Sequence, residues 1–138
     1  MNTFSLEILT PEKMFFSEDV EALIITSTDG EIAILKDHLP IIAPLDVGSI
    51  QIKQNGKWRE AFQSEGFMEV SETGTVHVFV QACEWPEDID KKRALQAAHR
   101  VEERMRQQRS MMEYQWSKIA LTRAMTRLRI SNKNINLD

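Results

Sequence analysis

One cysteine, Cys83, serves the whole 138-residue chain, so neither an internal disulfide nor a cysteine-built zinc site can form. The three histidines, His38, His77 and His99, fall on what read as a loop, a strand and a helix, too scattered for a metal or catalytic cluster. No Walker A loop, GxGxxG, HExxH or GxSxG string occurs, which removes the commonest nucleotide-hydrolysis, dinucleotide, zinc-protease and serine-hydrolase templates. No run approaches the ~18 consecutive apolar residues of a membrane span. Met1 to Ser5 has neither the basic end nor the apolar stretch of a secretion signal. There is no internal repeat and no low-complexity segment. The expectation is a soluble protein of a reducing compartment, one ordinary domain or a small domain with an appendage.

What is present is a core-forming composition, 42% hydrophobic and 28% charged, with the charge divided along the chain. Residues 1–85 hold five basic against 14 acidic side chains, a net −9, whereas residues 86–138 hold 12 against seven, a net +5. Such a division predicts two pieces, 1–85 and 86–138, with different partners.

The first piece reads as short strands. Phe4, Leu6 and Ile8 alternate with Ser5, Glu7 and Leu9 before Thr10-Pro11 stops the run. Val20 to Ser27 is rich in β-branched residues and ends at Asp29-Gly30. Segments 31–35, 49–53, 58–63, 66–71 and 75–82 follow, with 37–40, Pro44 and Gly48 as punctuation. Asn55-Gly56 is the strongest hairpin signal, because both residues tolerate the positive φ of a type I′ turn. About eight to ten strands at this spacing argue for a sandwich or flattened barrel.

At Pro86 the period changes. Pro suits a first helical turn, and Asp88 can cap the helix or favour its positive N-terminal end. Ala94, Ala97, Ala98, Val101 and Met105 fall on one helical face. A polar junction at 107–110 leads to a second helix over about 111–130, with Met112, Trp116 and Ile119 on one stripe and Tyr114, Leu121, Met125 and Leu128 on another. The tail from Ser131 to Asp138 reads as polar and frayed. The fold class is therefore α+β: a β-sandwich followed by an antiparallel two-helix hairpin. The hairpin cannot stand alone and must lie on the sandwich, pair with another protein, or alternate between the two.

No catalytic constellation emerges. His77 reads as a solvent-facing strand residue, His38 as a turn-fixing hydrogen bonder and Cys83 as an inert small hydrophobe. In the hairpin, Arg93 and Arg100 lie seven apart, and Arg123 and Arg127 four apart on the returning helix. Converging guanidinium groups, with Asp90 and Glu84 nearby, could take a polyphosphate while the acids accept from a base or ribose. On spacing alone, a solvated basic face is the better-supported alternative. Nucleic acid is disfavoured, because seven acids interrupt the basic segment and the whole chain is acidic. The methionines Met105, Met111, Met112 and Met125 would suit an adaptable partner surface.

Five strings in order then resemble a known family. They are Phe4 to Glu12 ending in Thr-Pro, Asp29 to Pro40, Gly66 to Val70, the Ile-Asp-x-x-Arg-Ala signature at Ile89 to Ala94, and the Ala120 to Leu128 run. Together they resemble the epsilon subunit of bacterial F-type ATP synthases. Ala33 and Glu65 depart from the family's usual glycines, which puts local backbone geometry in question.

The resemblance implies a ten-stranded sandwich, a regulatory two-helix C-terminal domain and a place in the central stalk. It implies a non-catalytic role, with the gamma subunit and the c-ring as partners of the sandwich. The alpha/beta catalytic head would meet the extended hairpin, whose basic residues, Arg106, Arg109 and Arg123 among them, would face acidic segments there. It implies peripheral association with the cytoplasmic face of a bacterial plasma membrane, without insertion. No cofactor is required, but a regulatory ATP is implied at Glu84, Ile89, Asp90, Arg93, Ala94, Arg100, Arg123 and Arg127, with Mg²⁺ left open. The alternative function is a free-standing ATP-sensing module of the same architecture.

Overall fold

The computed structural model describes residues 2–107 and 111–136. The chain divides into two compact units, Met1–Glu84 and Trp85–Asp138. The first holds ten strands: β1 (Phe4–Leu9), β2 (Met14–Val20), β3 (Ala22–Ser27), β4 (Gly30–Ile34), β5 (Ile41–Leu45), β6 (Gly48–Gln54), β7 (Lys57–Gln63), β8 (Gly66–Val70), β9 (Val76–Val80) and β10 (Cys83–Glu84). The second holds a 3₁₀ turn, Pro86–Asp88, then α1 (Lys91–Gln107) and α2 (Met111–Asn136).

The strands hydrogen-bond in the order β10-β7-β6-β3-β5-β8-β9-β1-β2, with β4 added beside β3. Every pairing is antiparallel except β1 with β9. The sheet curls until its last strand nears β6. There the Glu21 N–H donates to the Lys53 carbonyl at 2.8 Å, and Gln54 Nε2 donates to the Asp19 carbonyl at 3.1 Å. This near-closure hides the edges that an open sheet would expose.

Alternation along the strands sorts side chains as the pleat requires. Phe4, Leu6 and Ile8 are buried while Ser5, Glu7 and Leu9 are half-buried, as the sequence pattern predicts. Leu6, Ile8, Leu23, Ile25, Ile50, Val76 and Val78 form the sealed interior. The Asn55-Gly56 hairpin is present, with φ of 51° and 74° at the two turn residues and Gln54 paired to Lys57. Gly66 is required by packing: a Cβ there would collide with the Phe79 carbonyl on β9. Neither Ala33 nor Glu65 takes a positive φ, so the two departures from glycine leave the backbone unstrained.

Among the buried polar side chains, Gln63 is fully enclosed. Gln63, at the end of β7, donates from Nε2 to the carbonyls of Thr26 at 2.8 Å and Asp46 at 2.7 Å. Its own carbonyl accepts from the Thr26 N–H at 3.4 Å. The clasp joins the ends of β3, β5 and β7, adding to the Asp46 N–H bond that the Thr26 carbonyl accepts at 3.2 Å.

Two strand expectations need correction, and one strand was not expected at all. Val20 to Ser27 is not one strand; the chain turns at Glu21, and Met14–Val20 forms its own strand against β1. Pro44 does not punctuate. It lies within β5 opposite Phe67, and its carbonyl accepts from the Thr28 N–H at 3.2 Å. The two-residue β10 is too short to carry a pattern.

In the helical unit, α1 and α2 lie side by side, and α2 also touches the 3₁₀ turn, so the second helix returns along the first. Ala94 and Ala98 are buried and Ala97, Val101 and Met105 half-buried, the face that the 3.6 period predicts. The stripes expected on α2 are not the buried ones. Trp116, Ile119, Met125 and Tyr114 are exposed, while Ala124, Ile130 and Ser131 are buried and Ser117, Leu121 and Leu128 half-buried. Small residues admit close packing, and the bulky ones turn outward. The expected frayed tail is helical through Asn136, with Ser131 enclosed. The junction at 108–110, Arg109 and the side chains of Met111 and Met112 lie outside the described residues.

Candidate functional site in the helical unit

The basic hairpin is built from its entry. Pro86 sits at the first position of the 3₁₀ turn, where its missing N–H is not needed. The Asp88 N–H donates to the Trp85 carbonyl at 3.0 Å, and the Ile89 N–H to the Pro86 carbonyl at 3.3 Å. Ile89 is then extended, with φ −78° and ψ 124°, and the helix proper starts at Lys91. Asp88 is therefore not the cap of α1. That role falls to Asp90, whose Oδ1 accepts the Arg93 N–H at 2.9 Å and whose carbonyl accepts the Ala94 N–H at 3.0 Å. The 3₁₀ turn displaced the helix start, and no periodic signal in the sequence announces such a turn.

The proposed ligand residues take distinct places. Ile89 and Ala94 are buried, and Asp90, Arg93 and Arg100 are exposed on α1 or just before it. Arg123 and Arg127 are half-buried on α2, and both already take part in interactions within the fold. These seven belong to the helical unit. Glu84 belongs to the sandwich unit, where it ends β10 opposite Phe62.

The first turn of α1 carries Lys91, Lys92 and Arg93 and no acid. A helix N-terminus bears about half a positive charge, so three cations there oppose the dipole, each by roughly 0.3–1 kcal/mol. Asp90 offsets part of this repulsion.

Farther along, a groove of about 520 Å³ is lined by Met105 from α1 and by Tyr114, Lys118, Leu121, Met125 and Arg129, among others, from α2. Thr122 and Thr126 on the same side donate back to the carbonyls of Lys118, at 2.9 Å, and Thr122, at 2.7 Å. Pattern reading missed this groove because it is framed by residues that the amphipathic stripe had assigned inward.

In the sandwich unit, Cys83 is buried; desolvation, and then the Glu84 carboxylate, push its thiol well up, so it forms no thiolate near neutrality. His38 Nδ1 lies 2.7 Å from the Leu39 carbonyl, the turn role expected of it. Among the described residues, no group of three His, Cys, Asp or Glu side chains could hold a metal ion.

The outer face of β5-β8-β9-β1 carries two cross-strand rows. Leu9, Phe79, Phe67 and Pro44 form one, with the Phe67 and Phe79 rings stacked at 4.9 Å; Glu7, His77, Glu69 and Ile42 form the other. Ile42 is 74% exposed and Phe67 47%, unusual for large apolar side chains lying together.

The comparisons with known proteins cover both units. The ATP synthase delta/epsilon chain β-sandwich domain matches residues 3–86, and the long α-helix domain of the same chain matches 87–132. The chain belongs to the ATP synthase delta/epsilon chain family. The ATP synthase epsilon chain of Caldanaerobacter subterraneus subsp. tengcongensis is 50% identical over 132 residues, 95% of each chain. That of Ruminiclostridium cellulolyticum is 43% identical over 133 residues, covering 96% of this chain and 98% of its own. A chain in the Euglena gracilis mitochondrial ATP synthase structure of the OSCP, F1 and c-ring superposes with a TM-score of 0.78 at 21% identity, covering 100% of this chain and 83% of that one. A chain of the Tetrahymena thermophila central stalk and c-ring superposes with a TM-score of 0.60 at 14% identity, covering 95% of each. These distant likenesses confirm the fold. As an ATP synthase epsilon-type chain, the protein is a non-catalytic subunit of that complex.

Proposed function

We propose that the chain is a rotor subunit of the central stalk. In this reading the sandwich carries torque-bearing contacts to gamma and the c-ring while ion flow turns the ring, and the hairpin restrains ATP hydrolysis by reaching the alpha/beta head. The stacked Phe67 and Phe79, with exposed Ile42 in the neighbouring row, support a protein partner, here gamma, because stacked aromatics on a sheet face are typical anchors of an interface. The complex would stand at the cytoplasmic side of the bacterial plasma membrane. No helix among the described residues is long and apolar enough to cross a membrane.

Regulation is by ATP bound at the helical unit, and the observation that carries this is the acid-free, three-cation first turn of α1. A polyphosphate there would offset the repulsion, with Arg93 and Arg100 on one helix and Arg123 and Arg127 on the other supplying planar donors. ATP that binds only the folded hairpin stabilises it by about 2.7 kcal/mol at 100 times its dissociation constant. That is enough to shift a two-state hairpin away from the inhibitory form.

Two measurements test the reading. Affinity purification of the tagged chain from its own cells should bring gamma and c subunits with it, and Phe67→Glu with Ile42→Lys should lose gamma. Recovery of the chain alone would indicate a free-standing sensor instead. Calorimetric titration with ATP should saturate in the wild type and fail in Arg93→Ala/Arg127→Ala; no heat up to millimolar ATP would remove the nucleotide from the account.

A further inference from the structure

We propose that Asp90 serves the helix and not the nucleotide. Its carboxylate is engaged in capping α1, and the Ile-Asp-x-x-Arg-Ala signature is a helix-start device that aims Arg93. The proposal deepens the ATP reading above and rests on it for the ligand.

Three of the four signature positions have work to do with no ligand present. Asp90 is the N-cap: Oδ1 accepts the Arg93 N–H at 2.9 Å and the carbonyl accepts the Ala94 N–H at 3.0 Å. Ile89 precedes the cap and Ala94 is the fourth helical residue, the two positions that close a hydrophobic staple. Both are buried, at 7% and 6% exposure. The extended backbone of Ile89, fixed from behind by its bond to the Pro86 carbonyl, sets the angle at which α1 departs.

Arg93 is the position that the helix start does not explain. It is the third helical residue, where a capping box would place Glu or Gln to reach back to the cap N–H. A guanidinium has no acceptor and cannot do this. Its backbone is held by Asp90 while its side chain is exposed. Asp90 is thus a positioning residue that fixes the root of the one signature side chain left for a phosphate. Its negative charge near a polyphosphate opposes binding, so a neutral residue that still caps should bind ATP as well or better. The signature consequently specifies a helix start first, and a match to it alone does not predict affinity.

The test uses the full-length chain as wild type, Asp90→Ala, Asp90→Ser and Arg93→Ala. Amide hydrogen exchange is read at residues 93 and 94, and ATP affinity by calorimetry. Serine caps as well as aspartate but is shorter and uncharged. Asp90→Ala should speed exchange at both amides about fivefold, the factor of a typical cap, and weaken ATP by a similar factor. Asp90→Ser should restore the protection and bind ATP at least as tightly as the wild type. Arg93→Ala should keep the protection and lose ATP.

Protection restored by serine without ATP binding would make the carboxylate a direct ligand and overturn the proposal. Unchanged protection in Asp90→Ala, or retained ATP binding in Arg93→Ala, would overturn it as well. If the wild type binds no ATP, the nucleotide reading fails by itself. Exchange at residues 93 and 94 then still decides whether Asp90 is the cap.

Discussion

Glu7 Oε2 and His77 Nε2 meet at 3.0 Å across the one parallel pairing of the sheet, on an outer face where each side chain is about one-third exposed. Solvent at that exposure screens the pair, so its contribution to stability is small. A double-mutant cycle with Glu7→Gln and His77→Gln should give a coupling of about 0.2–1 kcal/mol that shrinks in high salt. A salt-independent coupling well above that range would mean that the face is more enclosed than the isolated chain shows.

Gln63 should matter far more. Gln63→Leu takes the side-chain partner from the Asp46 carbonyl and the Thr26 N–H, while the Thr26 carbonyl keeps only the Asp46 N–H at 3.2 Å. At roughly 1–3 kcal/mol for each unsatisfied buried group, the loss should be about 2–4 kcal/mol. Urea unfolding reads it as a lower midpoint at unchanged slope.

Gly66→Ala is expected to cost about 3 kcal/mol or more, because the added methyl meets a β9 carbonyl and not a side chain that could move aside. Thermal unfolding checks it, with Gly56→Ala as a contrast: there the strain lies in φ, and no neighbour lies within 4 Å.

Cys83 gives a pH dependence of known sign. Burial raises the folded thiol above its unfolded value, so at alkaline pH the unfolded chain has lost a proton that the folded chain keeps. Stability from this residue is complete below the unfolded thiol pKa near 8.5 and declines as pH rises above it. Cys83→Ala should flatten that alkaline decline, and native Cys83 should resist a thiol reagent at pH 8 until denaturant is added.

Much of this was legible from one sequence where a local pattern had a single structural solution. The alternation of Phe4, Leu6 and Ile8, the Asn55-Gly56 turn and the alanine face of α1 each determine their own geometry. Reading failed where long-range packing chose between local options. Pro44 sits in a strand opposite Phe67, and Trp116 points outward while Ala124, Ile130 and Ser131 take the buried side of α2. The spacing of Ser117, Leu121, Ala124, Leu128 and Ser131, alternating four and three, was the available signal, but small residues carry little weight in an apolar count. The cap at Asp90 was hidden by the 3₁₀ turn before it, even though the signature that contains it was plain.

The parallel partnership of β1 and β9 bears on how the protein is made. Leu6 finds its partner Val76 only after most of the sandwich sequence exists, so the first strand must wait beside β2 during synthesis. Pairings of such long range are slow, and an open hairpin edge invites wrong partners meanwhile. Once β9 arrives, the unit can close while α1 and α2 are still being translated. The sandwich unit, Met1–Glu84, thus holds every strand pairing of the sheet ahead of the helical unit in the order of synthesis.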